Sequence, residues 1–472
     1  MYYQRAFICG HFSFEGKFTY QEIKEGEWTP AKESITEDER EGYYLNFQKF
    51  ILSNKNGGCT SFKLVINKDI WIGKGKKKGN ETIYVNELRL YLFPFNIALF
   101  SIEIEQKSDS IKKICANTRR LRNCWNYGDI SSEWNERITM PLRNICKKLK
   151  KKEDASFHDL VENSNRMKVF QVVWSDKGFT HLDQTDKECL LYNLCTADAK
   201  TDAQGLKIDE NYDYIANTID KSRLSVFKEW EAISLLDSFT VLYYEKNPIG
   251  ISKIDFPSSN NSNAKQSIKN NKDNNDEWGK RFRLLYIYAL FQKCYLFNLN
   301  NLNNSILHKR NNAPKSNEFT GLKNAYSLIY RRLRIFLGIE KTQLANLTSE
   351  MKKFEFEYVF HNISYYRFTT ELYSSFYSGL EVASEKEEVY RLINAKQTEL
   401  SASKGDAINM VILLLTLFTL FEAISAACEL LNNIIPYDKW LPSSSIGYLL
   451  FSTIFLVLFG RLIWIYIRDF TR

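Results

Sequence analysis

The chain has 472 residues, 25% of them charged, a formal net charge of +8 and a mean hydropathy of −0.36. Most of so polar a chain lies outside any membrane, and at this length several domains are expected, each able to bury its own core. The modest positive surplus and the lack of an aromatic-basic module argue against a dedicated nucleic-acid binder, so no direct nucleic-acid binding is expected.

The amino terminus, MYYQRAFICG, has no basic stretch followed by a long apolar core. It does not read as a secretory signal peptide, and the amino-terminal part is expected to stay where it is made. The nine cysteines include no Cys-x-x-Cys pair and the five histidines are scattered. This points away from structural zinc and toward reduced thiols in a cytoplasmic domain. Phosphate-loop, nucleophile-elbow and dinucleotide motifs do not occur, so no catalytic residue is assigned and no enzyme is expected.

Residues 1–256 read as a cytoplasmic α/β sensor domain. The run IYVNELRLYLF from Ile83, then Pro94, then NIALFSIEIEQ predicts a hairpin. In its second arm Phe100, Ile102 and Ile104 alternate with Ser101, Glu103 and Glu105, which predicts one buried face. A helical stripe follows at Ile111, Ile114, Cys115, Thr118 and Leu121, and a second helix includes WNERITMPLRNICKKLKKK, kinked or begun near Pro141. MKVFQVVW from Met167 and SFTVLYY from Ser238 add strands.

Residues 257–277 are too polar and asparagine-rich to order themselves and read as a flexible linker. From 278 to 405 the pattern is helical, with a long stalk helix starting after Gly338 and running straight into the first of two apolar runs. Its stripe is Leu372, Phe376, Leu380, Val389, Ile393 and Leu400, with Gly379 as its weak point. Residues 406–430 and 446–468 then read as two membrane spans, joined by an extracytoplasmic loop at 431–445 and followed by a cytoplasmic tail at 469–472. Lys404, Arg461, Arg468 and Arg472 outweigh the single Lys439 of the loop, so both termini are expected to face the cytoplasm of a multi-pass inner-membrane protein. A two-span chain encloses no pore alone, which predicts a homo-oligomer.

This order of parts, an α/β domain, a long helix feeding the first span, a short outer loop and a second span with a basic tail, resembles the CorA family of magnesium transporters. That family carries Gly-Met-Asn after its first span. Here the stretch is CELLNNII, and Asn432 or Asn433 could stand in for the asparagine. The chain also resembles divergent CorA-like effectors of type III CRISPR systems. The resemblance implies a homopentamer and a transported cation such as Mg²⁺, with no covalent cofactor. It further implies gating by a signalling nucleotide, a cyclic oligoadenylate or an S-adenosylmethionine-AMP conjugate, in antiviral defence. A constitutive divalent-metal transporter and a membrane-anchored scaffold without a pore stay open beside it.

On this reading Asp406, Asn409, Leu413, Thr416, Leu420, Ala423 and Ala427 line the pore; alternatively the same stripe packs on the second span. Glu422, Glu429, Asn432 and Asn433 would attract cations at the outer mouth, and the alternative for Glu422 is that it snorkels to the headgroups. For an anionic ligand the candidates are Arg119, Arg120 and Arg122 on one helix, and Arg331 and Arg332 nearer the stalk. The lysine-rich loop Ile72–Asn80 and the run Lys147–Lys152 read more simply as a solvated turn and a solvated helix end.

Overall fold

A computed structural model describes residues 1–14, 23, 27–31, 40–51, 58–73, 82–122, 131–150, 167–196, 223–226, 230–235, 238–244, 278–311, 339–360 and 362–434, with the backbone alone at 150, 223–226, 280, 302–311, 339–343 and part of 399–434. The linker at 257–277, the loop from 435 onward and the second apolar run lie outside these residues.

The β-branched and aromatic runs of the first half form one sheet. Its strands are β1 (Tyr2–Ser13), β2 (Thr29–Pro30), β3 (Thr60–Trp71), β4 (Thr82–Phe93), β5 (Ile97–Ser108), β6 (Lys168–Ser175), β7 (Arg223–Val226), β8 (Trp230–Leu235) and β9 (Ser238–Tyr243). Their order is β2-β3-β4-β5-β1-β6-β9-β8-β7, antiparallel throughout except for the parallel pair β6 and β9. The expected hairpin is present as β4 and β5, turned through Pro94–Asn96. The central strand is β1, paired with both β5 and β6, and its sequence carries no period-two alternation.

Helices cover both faces of the sheet. On the first face lie α2 (Ile111–Arg122), α4 (Met140–Lys150) and α5 (Gln184–Thr196), numbered after α1 (Leu45–Ile51) and the single turn α3 (Ser132–Trp134). There Ala6, Ile8, Phe100, Ile102 and Ile104 meet Leu121, Trp134, Leu142 and Ile145. The second face meets α1, α6 (Arg283–Asn311) and α8 (Arg367–Gly379), the last of these numbered after α7 (Ile339–Tyr358). Its packing is aromatic. Phe170 lies 5.3 Å from Phe239 and from Tyr286, Phe376 meets Phe239 edge-on at 4.5 Å, and Phe93 stacks on Phe291 at 4.4 Å.

This second layer corrects the expectation of a half-solvated hairpin. Ser101, Glu103 and Glu105 are as buried as the apolar residues between them, at 1%, 5% and 5% exposure. Alternation marked the two faces correctly but not what covers the polar one. The helix start expected near Pro141 is present, since α4 begins at Met140. A π-helical turn at Asn135–Thr139, closed by the Met140 N–H to the Asn135 carbonyl, widens the backbone just before the proline, and α4 then runs through it.

The long helix expected after Gly338 is three helices. α7 ends at Tyr358, residues 362–366 run beside 40–44 through the Tyr44 N–H to Ile363 O and Tyr365 N–H to Gly42 O bonds, and α8 follows. α8 closes with the Leu380 and Glu381 N–H groups donating back to Phe376 and Ser378, and α9 (Val382–Ile434) then runs unbroken for 53 residues. The stripe residues Leu372, Phe376 and Leu380 are therefore spent within the α/β unit and not in a stalk bundle.

Two compact units result, one of residues Met1–Leu302 with Glu355–Val389, the other of Asn303–Phe354 with Tyr390–Arg472. The α/β unit thus extends past residue 256 to include the start of α6 and all of α8. In the second unit Leu344, Leu347, Met351 and Phe354 form a buried stripe on α7, and Ile393 is buried on α9. Over the described side chains, no helix is long and apolar enough to cross a membrane.

The corner between α8 and α9 is tight. A Cβ on Gly379 would stand 2.1 Å from the Ser234 Oγ, and Glu381 takes a left-handed φ of 55°. Gly379→Ala should lower stability by about 2 kcal/mol through overpacking, and adding Ser234→Gly should recover most of it. Glu381→Gly should leave stability unchanged or raise it by less than about 1 kcal/mol, since glycine relieves the left-handed strain but gains unfolded-state entropy. Urea-unfolding midpoints check all three.

Candidate functional site

The most unusual chemistry of the α/β unit is a charged cluster under α6 on the second face. Register sets it up: Arg5 stands opposite Glu105 and Phe7 opposite Glu103 across β1 and β5, and Glu103 faces Glu87 across β5 and β4. The Arg5 Nε donates to Glu103 at 2.9 Å and lies 3.8 Å from Glu105, while Asn86 donates to both carboxylates at 3.1 and 2.8 Å. From α6, Arg283 reaches within 3.7 Å of Glu103, and its guanidinium sits over the Phe7 ring at 5.0 Å. Arg89 pairs with Glu87 beside them.

Burial alone would raise the Glu103 carboxyl, but Arg5, Arg283 and Arg89 outweigh it and hold the group below its ordinary value of 4.5. Charge is balanced, with three arginines against three glutamates. Such a cluster specifies how α6 seats on the sheet. Nearby, burial pushes the Cys9 thiol up to about 12, with Arg283 lowering it only in part, and Cys115 and Cys195 are likewise raised to about 12. These thiols stay protonated at neutral pH and are poor nucleophiles.

The first face carries an uncharged polar layer. Gln4 bonds Gln171 and Thr118, Gln106 bonds Gln4, Asn117 donates to Gln106 at 3.0 Å, and Gln171 donates to Thr240 at 2.8 Å. Arg122 belongs here. It is 1% exposed and donates to the backbone carbonyls of Met167 and Cys195. The structure therefore separates the three arginines of α2: Arg122 holds the core together, Arg119 is exposed, and Arg120 is half-buried with a 3.4 Å bond to the Ile72 carbonyl. Arg120 thus stands where the lysine-rich loop begins. The loop's lysines, together with Arg331 and Arg332, lie outside the described residues.

A cleft of about 500 Å³ opens between α4 and the edge of the sheet. Ile23, Trp28, Leu64 and Ile145 form its floor, and Asn144, Lys147, Lys148 and Glu27 its rim. Two lysines of the run at 147–152 thus border a built concavity, whereas Lys151 and Lys152 lie outside the described residues. Trp28 gave no sequence signal, because it comes from a stretch without periodicity.

The remaining candidates share α9. Asn409, Thr416, Leu420, Glu422 and Ala423 are exposed on it, and Asp406, Leu413, Ala427, Glu429, Asn432 and Asn433 lie on the same helix, where the backbone alone is described. Thr416 donates to the Ile412 carbonyl at 2.7 Å and Thr419 to Thr416 at 2.9 Å, so both hydroxyls are satisfied by their own helix. Among the described residues no group of three His, Cys, Asp or Glu side chains could hold a metal ion.

The depressed Glu103 gives a pH prediction. A carboxylate whose folded value lies below its unfolded one adds stability above the unfolded value and loses it as pH falls through the folded one. Wild-type stability should therefore drop below about pH 4.5, and Glu103→Gln should flatten that drop while lowering neutral-pH stability by about 3 kcal/mol, because the buried Arg283 and the half-buried Arg5 lose a carboxylate. Thermal unfolding followed from pH 3 to 7 measures both.

Comparison of the chain with family models, curated proteins and solved structures gives no match.

Proposed function

We propose that the chain is the subunit of an oligomeric membrane channel or transporter for cations, gated by a ligand bound to its α/β unit. The observation that carries this reading is the continuity of α9. One unbroken helix joins the buried residues Val382 and Val389 of the α/β unit to the apolar run that begins at Ala407. The run Ala407–Cys428 is about 33 Å long at helical rise, matched to a hydrocarbon layer of about 30 Å.

Two further observations support it. Ile412, Leu415 and Leu420 are 54%, 59% and 50% exposed on α9, which is costly in water and favourable in lipid or against another subunit. The helix-bonded hydroxyls of Thr416 and Thr419 are in the state that hydrocarbon requires. In the assembly, Glu422 would form a ring of carboxylates near one mouth, and the stripe from Asp406 to Ala427 would line the path. The CorA resemblance extends the proposal to a pentamer in the inner membrane and to Mg²⁺ as the ion carried. The CRISPR resemblance extends it to a signalling nucleotide as trigger and to antiviral defence as the setting.

Purified full-length protein in liposomes tests the reading. Cation flux should appear on adding a signalling nucleotide. Glu422→Gln should cut divalent over monovalent flux about fivefold, since one unit charge at 4 Å in water is worth about 1 kcal/mol. Steady flux that nucleotide leaves unchanged and that Mg²⁺ suppresses would instead establish an ion-gated transporter. Absence of flux under every condition would leave a scaffold.

A further inference from the structure

We infer that the ion pair between Lys386 and Glu355 is a conformational device, a charged seat that makes the root of α9 move with the α/β unit. Its bearing on flux rests on the reading above, whereas the seat itself rests on packing and charge alone.

The seat lies on one stripe of the helix. Val382, Lys386 and Val389 stand at i, i+4 and i+7, so all three share a face. The two valines are buried, and none of the residues between them is. Position 386 is therefore the middle of a core-facing stripe, where a third apolar side chain is expected. Its ammonium instead meets the Glu355 carboxylate of α7 at 2.6 Å, with the two side chains 26% and 29% exposed. Tyr377 of α8 borders the pair: burial raises its phenol, Lys386 lowers it and Glu355 raises it. Glu355 has a rigid support, because it sits in the last turn of α7. That turn ends at Tyr358, whose carbonyl accepts from the Tyr288 hydroxyl and the Gln292 amide of α6.

An ion pair this exposed adds little to global stability, so its effect is local. An apolar side chain at 386 would fill the stripe at least as well, since replacing a partly desolvated ion pair by a well-packed apolar residue is often neutral or stabilising. What the pair adds is dependence on a partner. With it, the first two turns of α9 are seated as long as a carboxylate stands at 355. Without it, two valines seven residues apart are the buried contacts left in those turns, and elements held by so few contacts open most readily. The chain leaves the α/β unit directly after Val389. Movement of the seat is therefore movement of the helix at its point of departure.

Hydrogen exchange of the amides of residues 385–389, followed by mass spectrometry on the full-length protein, tests the seat. Lys386→Glu should speed exchange there about tenfold, because two carboxylates then face each other, and Glu355→Lys should do the same with two ammonium groups. Joining the two substitutions restores an opposite pair and should bring exchange back to within about threefold of the wild-type rate. In liposomes each single variant should cut nucleotide-dependent cation flux about fivefold, and the swapped double variant should regain most of it. Unchanged exchange in the single variants, or exchange that the swap fails to slow, would overturn the seat. Faster exchange with full flux would overturn its role in moving α9. The expected exchange pattern in a protein that carries no flux at all would uphold the seat and overturn the channel reading instead.

Discussion

The pairing of Glu103 with Arg5 and Arg283 is the constraint on which the rest of the α/β unit depends. Without it the second face of β5 would present carboxylates to a helix layer, and an unpaired buried carboxylate is far too costly to keep. With it, α6 closes over β1 and β5, and the aromatic residues that follow Arg283 come into register with the sheet. Tyr286 reaches Phe170 and Phe376, Tyr288 reaches Phe47 and Phe50, and Phe291 reaches Phe93. The Tyr288 hydroxyl and the Gln292 amide then both donate to the Tyr358 carbonyl, which ties the end of α7 to the same layer. A sheet that would otherwise be covered on one side becomes the middle of three layers.

The two polar systems divide the labour of specificity differently. Charges on the second face fix one helix against the strands, because arginine and glutamate tolerate burial only in a narrow set of geometries. On the first face the glutamine and threonine layer is neutral and runs across β5, β1, β6 and β9, stepping diagonally by two residues between Gln4 and Gln171, from Gln106 through Gln4 and Gln171 to Thr240. A one-residue slip between any two of these strands would set amides against aliphatic side chains. That layer therefore defines strand register. Arg122 extends the same logic to the loop ends, holding Met167 at the start of β6 and Cys195 at the end of α5.

How far the sequence revealed this depended on the range of each interaction. The hairpin of β4 and β5, the helix α2, and the strands β6 and β9 were legible because alternation and helical stripes are local signals. Gly379 was legible as a weak point, although its reason, the contact with Ser234, lies 145 residues away in the chain. β1 was not legible: YYQRAFICGHFS has apolar residues at odd and even positions alike, as a strand covered on both faces must, and that pattern resembles neither template. Reading the three α2 arginines as one cluster failed for a related reason. Spacing places side chains on a helix, but only the core decides that Leu121 and Arg122 turn inward while Arg119 turns out. The Trp28 floor of the cleft, drawn from an aperiodic stretch, had no local signature at all.

The root of α9 is where binding and any effect on the long helix have to meet. Val382 and Val389 are buried there, Lys386 pairs with Glu355 at 2.6 Å, and the corner before them is fixed by the glycine contact and by a left-handed glutamate. A ligand shifts a conformational equilibrium only by its difference in affinity for the two arrangements. The cleft beside α4 lies against the first face of the sheet, whereas α8 packs on the second, and none of its described lining residues belongs to the corner. Any influence must pass through the strands between, and those strands are locked by the glutamine layer and the charged cluster. Coupling in this fold is therefore expected to move the sheet with its attached helices as one body, leaving the corner intact, because bending the corner would expose Val382 and break the Lys386–Glu355 pair.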